Sequence, residues 1–361
     1  MSTTLSFILG TRPEIIKLSP VIRECQHSEM PFILIHTGQH YSEDLDSVFF
    51  EQLELPTPDY NLEIGSESHG RQTGAMIAEI EAVLESERPD VVLVQGDTNS
   101  VLAGAIAATK MDGIEVGHVE AGLRSFDREM PEEINRRVAD HTSDYLFPPT
   151  ETSREQLLKE GIADDLITVT GNTIVDAVQQ NVEIARERST IKSDLNIDGQ
   201  FALLTAHRAE NVDDRDRFAS LLDGVARAAS EQGLSVVYPT HPRAKKRISE
   251  FGIDVPPEIQ LVEPQAFLDF LVLEDSATII FTDSGGVQEE SCILQTPCIT
   301  LRETTERPET VEVGANRIVG TKPEEVATGT DYMLKTSRGW ENPFGNGAAA
   351  ENIIEVIETN V

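Results

Sequence analysis

Between residues 117 and 137 the chain reads GHVEAGLRSFDREMPEEINRR, which sets Glu120, Glu132 and Glu133 among Arg124, Arg128, Arg136 and Arg137 directly after an apolar, strand-like run. Crowded carboxylates repel one another and nearby arginines offset that repulsion, so such a set can hold protons unequally and exchange them with a bound molecule near neutral pH. Asp97 closes the run DVVLVQGD and His207 closes FALLTAH, so both end an apolar run and join the candidates for proton transfer. The charged stretch also reads as a solvated helix start. Pro131 suits a first turn, Glu132 and Glu133 suit the positive end of the helix dipole, and Arg136 lies three to four positions on. Asp97 likewise reads as an ordinary helix cap. Spacing leaves both readings open.

A second chemistry, anion binding, is written in TDSGGVQEES (282–291), where Ser284, Gly285 and Gly286 separate a strand-like run from a helix expected to begin near Val287. Glycines let backbone N–H groups approach an anion, and a helix N-terminus adds unpaired donors and partial positive charge; a phosphate or diphosphate is the natural guest. An ordinary tight turn fits the same letters, since neither a Walker pattern nor GxGxxG is present. GTRPEIIKLSPVI (10–22) repeats the architecture, with Arg12 and Lys17 near the end of the first run. Histidines 40, 118, 207 and 241 have no metal-ligand spacing, and no GxSxG or Cys/His nucleophile pattern occurs.

The elements that must position these residues alternate throughout. Short β-branched runs at 5–10, 32–38, 90–97, 114–122, 145–149 and 166–172 are separated mostly by amphipathic stretches long enough for helices, and the pattern restarts after the polar segment 183–200 with runs at 201–208, 234–241, 259–265, 277–286 and 297–303. This is the pattern of βαβ units and parallel sheets covered on both faces. Two Rossmann-like, doubly wound α/β domains are expected, residues 1–172 and 173–347. Their polar strand ends line a ligand cleft between them.

Composition bounds the partners. With 361 residues, 29 basic against 63 acidic side chains and a formal charge of −34, the chain is unsuited to nonspecific nucleic-acid binding, which needs a basic surface. The acid is spread along the chain, a pattern expected of a protein working in concentrated salt, where screening at about 1 M relieves self-repulsion over ~3 Å. No apolar run approaches the ~20 residues of a membrane span and no secretory leader is legible, so a cytoplasmic location is expected. Cys25, Cys292 and Cys298 are read as small buried apolar residues.

Taken in order, GTRPEIIKLSPVI, TGQH, VQGDTNS, HVEAGLRS, MPEEINRR, VTGNTIVDA, AHRAEN, DSGGVQEES and LRETTERPE cover nearly the whole chain. In this order they resemble the non-hydrolysing UDP-N-acetylglucosamine 2-epimerases. The resemblance implies a fold like the GT-B glycosyltransferases, a final helix (348–361) returning to the N-terminal domain, a homodimer, and a UDP-sugar substrate. It implies elimination of UDP across C1–C2 to 2-acetamidoglucal and re-addition with inverted C2. By motif, Asp97, Glu120, Glu132 and His207 are the catalytic positions. Arg12, Lys17, Arg136, Phe270 (beside uracil), Ser284, Gly285, Gly286, Glu290 (on ribose) and Arg307 are the substrate-binding ones. Elimination requires no metal or nicotinamide cofactor, and the dinucleotide fingerprint is absent.

Two departures bear on regulation. Members with a second, activating substrate site build it partly from QHRQM and an Arg in the helix before the PD that opens the run at 90–97; here Ser42 and Ala75 stand at those places. Hyperbolic rate curves in both directions are therefore expected, and sigmoidal dependence on UDP-N-acetylmannosamine would contradict this. Three rivals remain at this level: a hydrolysing relative releasing N-acetylmannosamine and UDP, a GT-B glycosyltransferase, and a non-catalytic nucleotide-sugar-binding protein. The last would have no use for Asp97, Glu120 and Glu132 together.

Overall fold

The computed structural model describes residues 3–39 and 49–361, so His40 and Ser42 lie outside the described residues. The chain divides into two compact units, Met1–Ala177 with Phe344–Val361, and Val178–Pro343. The division falls inside the helix Thr173–Arg188.

In the first unit six strands, β1 (Leu5–Leu9), β2 (Phe32–His36), β3 (Tyr60–Asn61), β4 (Val91–Gln95), β5 (Glu115–Val119) and β6 (Tyr145–Phe147), form a sheet in the order β3-β2-β1-β4-β5-β6. Every pairing is parallel. β1 and β4 are buried along their whole length, as a central strand covered on both faces must be, which is why they read as unbroken apolar runs. Helix Asn99–Ala108 packs so closely on them that a Cβ at Gly104 would lie 2.9 Å from Ile8 Cδ1. The run at 166–172 is no strand; it contributes only an isolated bridge from Ile167 to Leu146. The opposite edge, beside β2, is formed by Tyr60–Asn61, two residues too few to show a period.

The second unit repeats the plan with β7 (Phe201–Thr205), β8 (Ser235–Pro239), β9 (Ile259–Val262), β10 (Ile279–Thr282), β11 (Cys298–Thr300) and β12 (Asn316–Ile318), ordered β12-β11-β10-β7-β8-β9. Its pairings are parallel too. Both sheets therefore have the doubly wound order, and both reverse direction between their first and fourth strands, where such folds place ligands beyond the carboxyl ends. The first-unit switch lies between β1 and β4, next to GTRPE and GDTNS. The second-unit switch lies between β7 and β10, next to AHRAEN and DSGG.

Helix Ala349–Asn360 belongs to the first unit, where it packs on helix Arg12–His27. Asp176 Oδ1 accepts from Ala350 N at 3.0 Å, and Asn352 Nδ2 donates to Thr170 O at 3.2 Å. The three cysteines are buried, which pushes each thiol up to about 12. Among the described residues no helix is long and apolar enough to cross a membrane.

Candidate active site

At the first switch point the carboxylate of Glu120 is fixed from two sides. Lys17 Nζ, reaching over from helix Arg12–His27, lies 2.6 and 2.7 Å from its two oxygens, and Gln95 Nε2 at the end of β4 donates to Oε2. Glu120 follows β5 with φ +69, a left-handed conformation that a side-chain-bearing residue holds only when its surroundings impose it.

Asp97, one strand over, is not the helix cap. Thr98 caps helix Asn99–Ala108 by accepting from Val101 N, which releases the Asp97 carboxylate to pair with Arg136. Arg136 also reaches Glu133 at 3.1 Å, and Asn135 Nδ2 holds the Asp97 carbonyl at 2.9 Å.

These contacts bear on the reading of the opening stretch as a solvated helix start. Glu133 is fully buried, accepting from Ser125 N (2.9 Å), Ser125 Oγ (3.1 Å), Arg136 and Arg137. Burial alone would raise its carboxyl, but these donors outweigh it and hold it below the ordinary range. The Arg124 side chain is 1% exposed, bound to Asp140 and Glu160. Helix Pro131–Thr142 is therefore an internal ion network on this side rather than a solvated start. Arg128 remains in solvent, and Glu132 is half-buried with no hydrogen bond or ion pair to the described residues.

Glu14, in the first helical turn after β1, was not among the candidate residues. Its carboxyl is 1% exposed and accepts from Gly10 N (2.9 Å), Thr11 Oγ1 (2.8 Å) and Thr98 Oγ1 (2.6 Å), joining the turns after β1 and β4. Thr11-x-x-Glu14 is the capping-box spacing, and that was the available signal. Burial pushes the carboxyl up to about 7 against these donors. The folded state then keeps a proton that the unfolded chain releases near 4.5, so stability falls as pH rises between those values and stays lower above them. Glu14→Gln is expected to match the parent near pH 4.5 and to be more stable by ~1–3 kcal/mol at pH 8. Urea unfolding at both pH values measures this, and an equal difference at both would refute it.

At the second switch point Asp283 is fully buried at the end of β10 and gathers the turn after β7. It accepts from His207 N (3.1 and 3.0 Å), Arg208 N (3.0 Å) and Asn211 Nδ2 (3.1 Å). The His207 ring stands partly exposed, 3.4 Å from Asp283 Oδ1 and 5.7 Å between centroids from His241. Burial lowers its pKa; Asp283 opposes this, while His241, Arg208 and Arg243 add to it. A ring kept neutral can both donate and accept.

The helix after β10 begins at Gly285 rather than near Val287, so both glycines form its first turn. Its first helical bond runs from Gln288 N to Ser284 O, at 3.3 Å, and the N–H groups of Gly285, Gly286 and Val287 precede any intrahelical acceptor. Ser284 caps with backbone only, its N–H turned onto Thr282 Oγ1 at 2.9 Å. Unpaired N–H groups at a helix start are the arrangement that suits an anion.

Phe270 is half-buried on helix Phe267–Ser276, and Arg307 Nε pairs with Glu289 at 2.6 Å. Glu290 faces Glu274, a wholly buried carboxyl missed in the sequence; burial first, then Glu290, raise it well above its usual value. Arg12 begins its helix with its guanidinium 5.9 Å from the Phe49 ring centroid. Among the described residues no group of His, Cys, Asp and Glu is arranged to hold a metal. Ala75 is exposed on helix His69–Glu87.

Residues 23–358 match the sequence profile of the UDP-N-acetylglucosamine 2-epimerases. The chain belongs to that family. It is 54% identical over 360 residues to the UDP-N-acetylglucosamine 2-epimerase of Methanocaldococcus jannaschii, with 98% of each chain covered. The solved structure of UDP-GlcNAc 2-epimerase from that organism superposes with a TM-score of 0.92 at 52% identity, covering 99% of this chain and 100% of that one. The enzyme from Neisseria meningitidis, solved bound to UDP-GlcNAc, superposes with a TM-score of 0.85 at 34% identity, covering 99% and 100%. The family's fold and its isomerase class hold for this chain.

Proposed function

We propose that the chain interconverts UDP-N-acetylglucosamine and UDP-N-acetylmannosamine without hydrolysis. Family membership supports this, as does the M. jannaschii relative solved in complex with UDP-GlcNAc and UDP. The observation that carries it is Glu120, a strained strand-end carboxylate locked by Lys17 and Gln95, beside a strand whose Asp97 is held by Arg136 instead of capping its helix.

The C2 hydrogen of the sugar has no adjacent carbonyl. It becomes acidic only as the C1–O bond breaks and positive charge develops at C1. A carboxylate takes the C2 proton, the C–H electron pair becomes the C1=C2 bond, and the C1–O pair leaves on the diphosphate. Return of a proton to the other face of C2 and of UDP to C1 completes the exchange. In this reading Asp97, Glu120 and Glu132 work at C2, with Lys17 and Arg136 setting their orientation. His207, Arg12 and the Ser284–Gly285–Gly286 turn take the charge of the departing diphosphate. Glu290 binds ribose, Phe270 lies beside uracil, and Arg307 completes the nucleotide contacts.

The test is NMR of the products from UDP-N-acetylglucosamine. UDP-N-acetylmannosamine in equilibrium with substrate is expected; accumulation of free N-acetylmannosamine with stoichiometric UDP would select hydrolysis instead. The acidic composition supports an enzyme of a salt-rich cell, and family resemblance supports a homodimer. Unfolding across a KCl series checks the first of these: full stability at low salt would remove it.

A further inference from the structure

We propose that His118 is a positioning residue, a buried imidazolium that sets the Gly96–Asp97 peptide and through it the Asp97 carboxylate. His118 lies on β5, paired in register with Val94 of β4, and is 1% exposed. Its Nδ1 is 2.7 Å from Asp140 Oδ1 and its Nε2 is 2.9 Å from the Gly96 carbonyl. A carbonyl has no proton to give, so Nε2 must donate. Asp140 already accepts from Arg124 at 2.7 Å and from Gly122 N at 3.3 and 3.4 Å, so it serves His118 as an acceptor as well, and Nδ1 must also donate. A ring that donates from both nitrogens is charged.

The charge has its place in an ion network. Asp140 comes from helix Pro131–Thr142, Arg124 from the loop after β5, and Glu160 from just past helix Glu151–Lys159, bound to Arg124 at 2.6 Å. Glu160 also meets Arg137 at 3.4 Å, and Arg137 pairs with Glu133, which Arg136 joins to Asp97. With a charged ring four cations face four anions, and a neutral ring would leave the network one charge short. Burial opposes the imidazolium, but Asp140 and the Gly96 carbonyl outweigh it against the repulsion of Arg124, and the ring's pKa is raised. By linkage, its contribution to stability is complete below the ordinary histidine value and is lost as pH climbs through the raised one.

What the ring does for the reaction follows from Gly96. That residue has φ +86, its N–H bonded to Val119 O at 3.1 Å and its carbonyl to His118, so both ends of the turn entering Asp97 are fixed. This inference rests on Asp97 acting at the reacting carbon. Histidine-labelled 15N NMR of the full chain at pH 7 is expected to show protons on both His118 nitrogens. In Asp140→Asn the ring should lose one of them, and kcat should fall about 10- to 100-fold with KM changed less than threefold. His118→Gln should show the same split, and the double variant no further loss. A singly protonated His118 in the parent, or Asp140→Asn with parental kcat or with its loss confined to KM, overturns the inference. A parent with no C2 epimerase activity would instead remove the functional reading, whatever the ring's protonation.

Discussion

Glu120→Gln is expected to lower kcat for C2 epimerisation by about 10²- to 10⁴-fold, the range of a lost proton-transfer group. An amide keeps the volume of the side chain and one acceptor oxygen. It can neither take a proton from carbon nor balance Lys17, whose ammonium lies 2.6 Å from a carboxylate that is only 6% exposed along its side chain. The substitution also costs stability: removing one partner of a nearly buried pair costs up to about 3–5 kcal/mol, less here because the Lys17 side chain retains 16% exposure. Lys17→Met separates the two effects. It should destabilise comparably and reduce kcat less, since the carboxylate survives. A Glu120→Gln enzyme keeping more than a tenth of parental kcat would show that this carboxylate does not handle the C2 proton.

Gly122→Ala is expected to destabilise the protein by about 3 kcal/mol or more. Gly122 turns the chain after Glu120 with φ +80, and a Cβ there would lie 2.4 Å from Ser153 O and 2.9 Å from Ser153 C. Those are backbone atoms of helix Glu151–Lys159, which cannot yield as a side chain would. The Gly122 N–H also donates to Asp140, so a shift of the turn disturbs His118 and Arg124 together. Gly113→Ala is the control, for it has φ +82 with nothing within 4 Å of the added atom. It should cost only the conformational penalty, ~1 kcal/mol. Equal midpoints for the two variants in denaturant unfolding would refute the steric account.

The central strands were legible in the sequence because a strand covered on both faces must be apolar throughout, as VVLV at 91–94 is. The edges were not. Tyr60–Asn61 and Asn316–Ile318 are held by pairing with β2 and β11, not by any pattern of their own. LITVTGN (166–172) carries a strand's composition, yet only Ile167 forms a bridge to the sheet. At the site, strand-end position picks out Asp97, Glu120, His207 and Ser284 in the sequence. It could not reveal what each one touches. That Glu133 would be buried while its neighbour Glu132 is only half-buried depends on the loop Ser125 closes over it, a contact eight residues back. That Glu14 would join two turns depends on Thr98, 84 residues away. That Glu274 would face Glu290 depends on two helices meeting. Such partners are set by tertiary packing, and a charge pattern along one helix does not record them.

Incubating the enzyme with UDP-N-acetylglucosamine in deuterated buffer, and following C2 by NMR without any acceptor present, examines the proton chemistry itself. Deuterium should enter C2 of UDP-N-acetylmannosamine as it forms and of recovered substrate with time, and the Asp97→Asn and Glu120→Gln enzymes should exchange far more slowly. Epimers that form with C2 still carrying its original hydrogen would contradict elimination and re-addition, and with it the role given to the strand-end carboxylates.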